Sequence, residues 1–208
     1  ALDGSVRNVL LQFTVFPGYE HDWSLVQVAL TDITARKKAE TYLEYLGKHD
    51  VLTKLFNRSF YTEEINRLER GVLRPTSAIF IDMNGLKAIN DQLGHDVGDE
   101  LLRRMGNILT RTIANTSYTA SRIGGDEFVI LMRAANEQTV ESMIMTIEEL
   151  LNIDNQYYSS QPISIAIGYA TTSANESIDN MLKRADLLMY QKKKNYYEYV
   201  SEMLNGSA

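Results

Sequence analysis

Two acidic positions of this sequence are placed to share a metal ion. Asp82 ends the apolar run of residues 77–82, and Asp126, with Glu127 beside it, opens a second apolar run that ends at residue 132. If these runs are neighbouring strands, their carboxylates lie at one edge of a sheet. Magnesium prefers carboxylate oxygens, and a two-ion site can lower the pKa of an attacking hydroxyl group. The alternative is that these acids are solvated strand ends or salt-bridge partners.

A pair of glycines precedes the second acidic position. Gly124 and Gly125 can adopt the positive φ angles of a tight two-residue hairpin, so we expect residues 118–123 and 126–132 to pair antiparallel. Glycines also leave space for a phosphate or another backbone to approach closely.

Three segments, in this order, resemble one protein family. Residues 50–58 read Asp-Val-Leu-Thr-Lys-Leu-Phe-Asn-Arg, residues 82–99 carry Asp, Lys, Ile-Asn-Asp, Gly-His and Gly-Asp in sequence, and residues 124–128 read Gly-Gly-Asp-Glu-Phe. Over about residues 48–200 the chain is therefore similar to the GGDEF family. Members that resemble it are diguanylate cyclases, which join two GTP molecules into cyclic di-GMP.

The resemblance implies a metal site and a reaction. Asp82, the backbone carbonyl of Met83 and Asp126 correspond to the family's ligands for Mg²⁺ or Mn²⁺. Asp126 is also the candidate general base, and Glu127 is the catalytic residue beside it. In the family's reaction a 3′-hydroxyl attacks the α-phosphate of a second GTP and pyrophosphate leaves, which requires positioning and neutralised charge.

The resemblance also implies how guanine is read. Asn90 and Asp99 correspond to the family's guanine-binding pair. An amide can donate and accept, and a carboxylate can accept from the guanine N1 and N2 hydrogens, so guanine should be selected over adenine. The alternative is helix capping, in which Asp96 or Asp99 accepts from free amides at the start of a helix near residue 97.

Phosphate binding is expected in three places. The first is the helix start at Gly85 and Leu86, whose amides can face phosphate oxygens, with Lys87 as a further contact. The others are the turn at Gly125 and Lys193, which takes the position of the family's phosphate-binding lysine. For Lys87 the alternative is an i,i+4 pair with Asp91.

Two sites depart from the family pattern. Tyr196 stands where the family has glycine, and Tyr197 stands where it has an arginine that contacts the triphosphate, so weak activity is expected. Asn115 and Tyr118 replace the arginine and aspartate of the family's inhibitory product site. We therefore predict no high-affinity product feedback there.

Composition excludes several classes of protein. A formal charge of -6 argues against general nucleic-acid binding. No cysteine is present, which rules out disulfides and thiolate metal sites and fits a reducing compartment. No apolar stretch is long enough to span a membrane. These features predict a cytoplasmic fragment without membrane contact, whose parent chain could be anchored at the inner membrane.

The predicted fold class is α+β. Periodicity predicts helices over 58–70, 85–93, 97–114, 136–152 and 177–194, strands over 77–83, 162–172 and 196–200, and the hairpin 118–132. The family resemblance adds the topology, a ferredoxin-like palm with a central, mainly antiparallel sheet, as in polymerases and nucleotide cyclases.

The region before this domain contains a hairpin and a helix. Residues 6–17 and 23–34 are β-rich, and residues 1–34 resemble the last strands of a PAS sensory domain. Residues 35–48 form the predicted signalling helix, and the GGDEF domain would occupy 49–208. The apolar stripe of this helix, Ala39, Tyr42, Leu43 and Leu46, either packs on its own domain or forms a short coiled coil with a second chain.

These observations favour a magnesium-dependent diguanylate cyclase that is active as a homodimer, with one GTP in each subunit. Tyr196 and Tyr197 favour the alternative, a weak or inactive GTP-binding domain that regulates a linked cyclic di-GMP phosphodiesterase domain. A protein-interaction module without nucleotide is least favoured, because the metal and guanine positions are all present.

Overall fold

A computed structural model describes residues 4–71 and 75–205 of the protein. Residues 1–3, 72–74 and 206–208, which fall within the predicted domain ranges, lie outside the described residues. The chain folds as two compact units, with the boundary between Gly47 and Lys48. None of the helices in the described ranges has the length and apolarity that a membrane crossing requires.

The first unit contains a hairpin followed by a helix. Strands β1 (Val9–Val15) and β2 (Val26–Asp32) pair antiparallel, and α1 (Thr34–Lys48) follows. The Thr34 hydroxyl accepts a hydrogen bond from the Asn8 backbone N–H (2.9 Å), which ties the start of α1 to the hairpin. The assignment of residues 1–34 to a PAS domain stays a prediction.

The second unit is a four-stranded sheet covered by helices. Its elements are α2 (Arg58–Arg70), β3 (Ser77–Met83), α3 (Leu86–Leu93), α4 (His95–Thr112), β4 (Thr119–Arg122), β5 (Glu127–Met132), α5 (Glu137–Tyr157), β6 (Ile165–Thr171) and α6 (Ile178–Asn205). The strand order is β4-β5-β3-β6, and every neighbouring pair is antiparallel. The predicted α+β fold with a central antiparallel sheet is confirmed.

Strand β3 separates the two halves of the core. All seven of its residues are buried, which suits an uninterrupted apolar run in the middle of a sheet. Because successive side chains point to opposite faces, Ile79 and Ile81 join the core beneath α4 and α5, whereas Ala78 and Phe80 join the core beneath α6. The end of β3 at Asp82 and Met83 is therefore held from both faces.

The predicted last strand, residues 196–200, is wrong. These residues belong to α6, which runs without a break from Ile178 to Asn205. The sequence between those positions contains neither glycine nor proline, the residues that most often end a helix. An ion pair between Lys194 and Glu198, one turn apart, further supports the helix at this point (3.5 Å).

The prediction of a two-residue hairpin with positive φ angles is also wrong. Arg122 pairs with Phe128, and the Ile123 N–H donates to the Glu127 carbonyl (3.0 Å), so the loop consists of residues 124–126. Neither Gly124 nor Gly125 has a positive φ angle. The predicted antiparallel pairing of the two flanking runs is confirmed.

Candidate functional site

An acidic edge forms where β3 and β5 run side by side. The register pairs Asp82 with Glu127, and the Met83 N–H donates to the Asp126 carbonyl (3.1 Å). Asp82 is buried, Asp126 is about one-third exposed and Glu127 is exposed. The edge opens into a cavity of about 610 Å³ whose lining includes Asp82, Glu127 and Lys193. The three predicted acids therefore lie together at one end of the sheet.

Lys193 of α6 reaches this edge. Its ammonium group donates to Oδ2 of Asp82 (2.6 Å) and lies 3.7 Å from Oδ2 of Asp126. In this state the predicted phosphate contact is an ion-pair partner of both predicted metal ligands. A cation thus already lies between the two carboxylates.

The pKa values of Asp82 and Lys193 are both raised, for different reasons. Burial raises the pKa of Asp82 above its usual value, and the neighbouring Asp126 carboxylate adds to the rise, although the hydrogen bond from Lys193 opposes it. Burial alone would lower the pKa of Lys193, but the hydrogen bond to Asp82 and the charges of both aspartates outweigh burial and raise it. Lys193 is therefore firmly a cation.

The oxygen atoms of this edge fit a hard divalent ion. Oδ1 of Asp82 is buried and has no hydrogen-bond partner, so it is available as a ligand. The described residues contain no cluster of three or more His, Cys, Asp and Glu side chains around a common point. The residues that could hold such an ion are the ones the family resemblance implies, the carboxylates of Asp82 and Asp126 with the carbonyl of Met83, a set of oxygens suited to Mg²⁺.

Unpartnered oxygens continue along the chain from this edge. Among the described residues, four buried side-chain oxygens have no hydrogen-bond partner, and three of them belong to Asp82, Asn84 and Asn90. Asn84 is held by the residue that precedes β6, because its Nδ2 donates to the Ser164 hydroxyl (3.0 Å). Buried polar atoms are nearly always paired, so three unpaired acceptors between Asp82 and Asn90 are an unusual concentration. Asn84 was not among the predicted site residues.

The turn between β3 and α3 presents backbone amides. Gly85 has a φ of 74°, a conformation that favours glycine, and it caps α3, which begins at the buried Leu86. The Gly85 N–H donates to the hydroxyl of Tyr197 (3.2 Å). Lys87 is exposed, and the described structure contains no ion pair between it and Asp91. The predicted phosphate-binding turn therefore has the geometry of a helix start. The N–H of its first residue, Gly85, is hydrogen-bonded to Tyr197.

The two predicted guanine-binding residues lie on neighbouring helices. The Asn90 side chain packs directly on Gly98, where a Cβ would overlap its Oδ1. Asp99 follows Gly98 and is half exposed, and its one ion pair within the described residues is a long contact to Arg103 (3.8 Å). Because α4 begins at His95, Asp99 is its fifth residue and lies beyond the first turn, so it does not cap the helix.

Arg122 supports the glycine loop, a role that sequence reasoning missed. Its guanidinium donates to the Gly125 carbonyl (2.7 and 3.2 Å) and to Oδ1 of Asp50 (3.2 Å). On the other side of the loop, Glu127 lies so close to Gly124 that a Cβ there would overlap its carboxylate. The available signal was an arginine two positions before the first of the two glycines.

The four residues that depart from the family pattern lie in two places, within α6 and in the segment between α4 and β4. Tyr196 and Tyr197 are stacked edge to face within α6, with ring centroids 5.4 Å apart. Asn115 adopts a positive φ of 63° in the loop after α4, and Tyr118 directly precedes β4. The absence of a product site at Asn115 and Tyr118 stays a prediction.

An antiparallel sheet with an acidic edge, flanked by helices, defines an α+β domain that is known from solved structures. The coiled coil and GGDEF domain of DgcB from Caulobacter crescentus, in complex with c-di-GMP, matches this chain with a TM-score of 0.66 and 23% identity. The match covers 78% of this chain and 89% of that chain.

The sequence comparisons identify the family. The model for "Diguanylate cyclase, GGDEF domain" matches residues 47–198, and the chain belongs to the GGDEF family. Diguanylate cyclase DgcM of Escherichia coli K12 is 34% identical over 195 residues, which cover 92% of this chain and 46% of DgcM. Signaling protein YkoW of Bacillus subtilis 168 is 31% identical over 188 residues, which cover 85% of this chain and 23% of YkoW. The chain thus spans less than half the length of these two relatives.

Proposed function

We propose that this protein is a diguanylate cyclase that condenses two GTP molecules into cyclic di-GMP across a homodimer. The observation that carries the proposal is the row of unpartnered, buried oxygens in Asp82, Asn84 and Asn90, beside the carboxylate of Asp126. Asp82 and Asp126 form an acidic edge suited to a cation, and Asn90 carries an amide suited to a base. The family to which the chain belongs supports the same reaction.

Each part of the site has a role in this proposal. Asp82, the Met83 carbonyl and Asp126 would hold Mg²⁺ or Mn²⁺, which supplies positive charge to the triphosphate and acidifies the attacking hydroxyl. Asp126 or Glu127 would accept the proton of that hydroxyl as the new bond to the α-phosphorus forms and pyrophosphate leaves.

Substrate binding would use the remaining residues. Asn90 and Asp99 would read the guanine edge, and the amides of Gly85, Leu86 and Gly125 would face the phosphates, with Lys87 and Lys193 as cations.

A homodimer follows from the stoichiometry of the reaction. One site holds one GTP, so two subunits must face each other for the two nucleotides to react. The exposed Tyr42 and Leu43 of α1 offer an apolar stripe for such pairing. We propose no product-binding site at Asn115 and Tyr118.

The decisive experiment is detection of cyclic di-GMP by chromatography, from GTP and magnesium, over a series of protein concentrations. Yield per subunit should rise with concentration and vanish in Asp126→Asn, which keeps the side-chain shape but removes the charge. The matched control is Asp96→Asn, an exposed change on α4 that should leave the yield unchanged.

One observation favours a second candidate function, a GTP-binding regulatory domain with little or no activity. Tyr197 provides no cation and instead occupies the Gly85 amide. Tight magnesium-dependent GTP binding without any product, at concentrations that force dimers, would replace the cyclase proposal with this one.

A further inference from the structure

One face of α6 holds the β3–α3 connection at two points. Lys193 and Tyr197 are four residues apart, so they lie on the same side of the helix, one turn from each other. Lys193 donates to Oδ2 of Asp82 (2.6 Å), and Tyr197 accepts from the Gly85 N–H (3.2 Å). The carboxylate and the first amide of the candidate site are thus both engaged by α6.

The second contact depends on the chemistry of a phenol. A tyrosine hydroxyl oxygen can accept a hydrogen bond, whereas an arginine side chain has donors only. Tyrosine at position 197 therefore adds an interaction that the arginine expected there could not make. The Tyr197 hydroxyl oxygen accepts a hydrogen bond from the Gly85 N–H, and a phosphate oxygen would accept from the same N–H.

A backbone N–H carries a single hydrogen, so a strong bond to one oxygen weakens its bond to another. Tyr197 is 46% exposed, and its ring is not locked in the core, so it can leave the amide without disrupting the fold. A Cβ built at Gly85 would meet no atom within 4 Å, so the space beside this residue is open to a ligand.

We propose that Tyr197 competes with the triphosphate of GTP for the Gly85 amide and thereby sets the affinity of the site. In the free protein the phenol covers the amide, and a bound triphosphate displaces it. This inference rests on the proposed function, because it assigns the Gly85 amide to the nucleotide.

The test measures equilibrium binding of 3′-deoxy-GTP, in magnesium, by calorimetry. This nucleotide lacks the attacking hydroxyl, so binding is read without turnover. Tyr197→Phe removes only the accepting oxygen, and a net hydrogen bond between neutral groups corresponds to about a threefold to tenfold change in affinity. We expect Tyr197→Phe to bind 3′-deoxy-GTP tighter by that factor.

Two controls isolate the effect. Tyr199→Phe removes a hydroxyl from an exposed tyrosine on the same helix and should bind like the unchanged protein. Guanosine has no phosphate, so its affinity should be the same in all variants. Tyr197→Leu, which also lacks the oxygen, should repeat the gain seen with Tyr197→Phe.

Equal binding by Tyr197→Phe and the unchanged protein would overturn the inference while leaving the proposed function standing. Weaker binding by Tyr197→Phe would also overturn it, because the phenol would then be a ligand of the phosphate. If neither the unchanged protein nor any variant binds 3′-deoxy-GTP, both this inference and the proposed GTP site are overturned.

Discussion

Asp50 links the entry of the second unit to the glycine loop. Its Oδ1 accepts from the Thr53 N–H (2.8 Å), the Thr53 hydroxyl (2.7 Å) and Arg122 (3.2 Å), and Arg122 in turn holds the Gly125 carbonyl. Burial alone would raise the pKa of Asp50, but the hydrogen bonds from Thr53 and the charge of Arg122 outweigh it and hold the pKa below 3.8. The carboxylate is therefore a stabilising group while it is ionised.

The stability supplied by Asp50 should depend on pH. Because its pKa is lower in the folded state, the contribution is present above pH 3.8 and is lost as the pH falls through the folded pKa. We expect Asp50→Asn to lower the free energy of unfolding by about 1–2 kcal/mol at neutral pH and by less at about pH 3. Urea unfolding at both pH values checks this. Glu69→Gln, an exposed change on α2, should have little effect at either pH; a loss that is equal at both would contradict the argument.

At the scale of elements, the packing of α6 on β6 depends on Gly168. A Cβ at this position would overlap the backbone nitrogen of Met189 and the carbonyl oxygen of Ala185. Both atoms belong to the helix backbone, so a rotamer change cannot relieve the overlap. The close approach of α6 also brings Lys193 to Asp82.

We predict that Gly168→Ala lowers the free energy of unfolding by about 3 kcal/mol, the upper part of the usual range for overpacking. Urea denaturation measures the change. Gly125→Ala is the stability control, because a Cβ there meets no atom within 4 Å and the φ angle is ordinary. Similar unfolding midpoints for the two variants would show that the α6–β6 contact tolerates a shift.

The elements were largely predictable, because buried positions recur with the periods of helices and strands. The spacing of Val140, Met143, Ile144, Ile147 and Leu151 predicts one buried face of α5, and four of these residues are buried while Ile144 is half-buried. The end of α6 was predicted wrongly, because residues 196–200 consist mostly of tyrosine and valine, which are also common in strands. The loop at residues 124–126 differed because two glycines permit a tight turn without requiring it.

The candidate site was only partly predictable for a different reason. The acids, the glycines and Asn90 could be located from spacing and resemblance. Bonds such as Lys193 to Asp82 and Gly85 to Tyr197 join residues that are 111 and 112 positions apart. Such contacts depend on the position of a helix against a sheet. The spacing of residues along the chain does not predict that position.

At the scale of the whole molecule, the two units make separate contributions. Both buried core clusters are composed of residues from Leu55 onward, so the second unit has its own core. A fragment of residues 48–208 should therefore fold cooperatively by itself. It should bind 3′-deoxy-GTP with unchanged affinity, since every proposed nucleotide contact lies within it.

The same fragment should be less active at low concentration if α1 assists pairing of subunits. We expect its yield of cyclic di-GMP per subunit to match that of the whole chain only at higher protein concentration. Activity assays and analytical ultracentrifugation check this, when both proteins are measured over the same concentration series. Identical concentration dependence would remove α1 from the dimerisation proposal.

The hairpin of the first unit has a practical consequence for such measurements. Leu11 pairs with Leu30 and Phe13 pairs with Val28, so these four exposed side chains form one apolar face on a two-stranded sheet. An exposed apolar sheet surface promotes non-specific aggregation as the protein concentration rises. Light scattering of each concentrated sample therefore distinguishes precipitation through β1 and β2 from a loss of catalysis at the acidic edge.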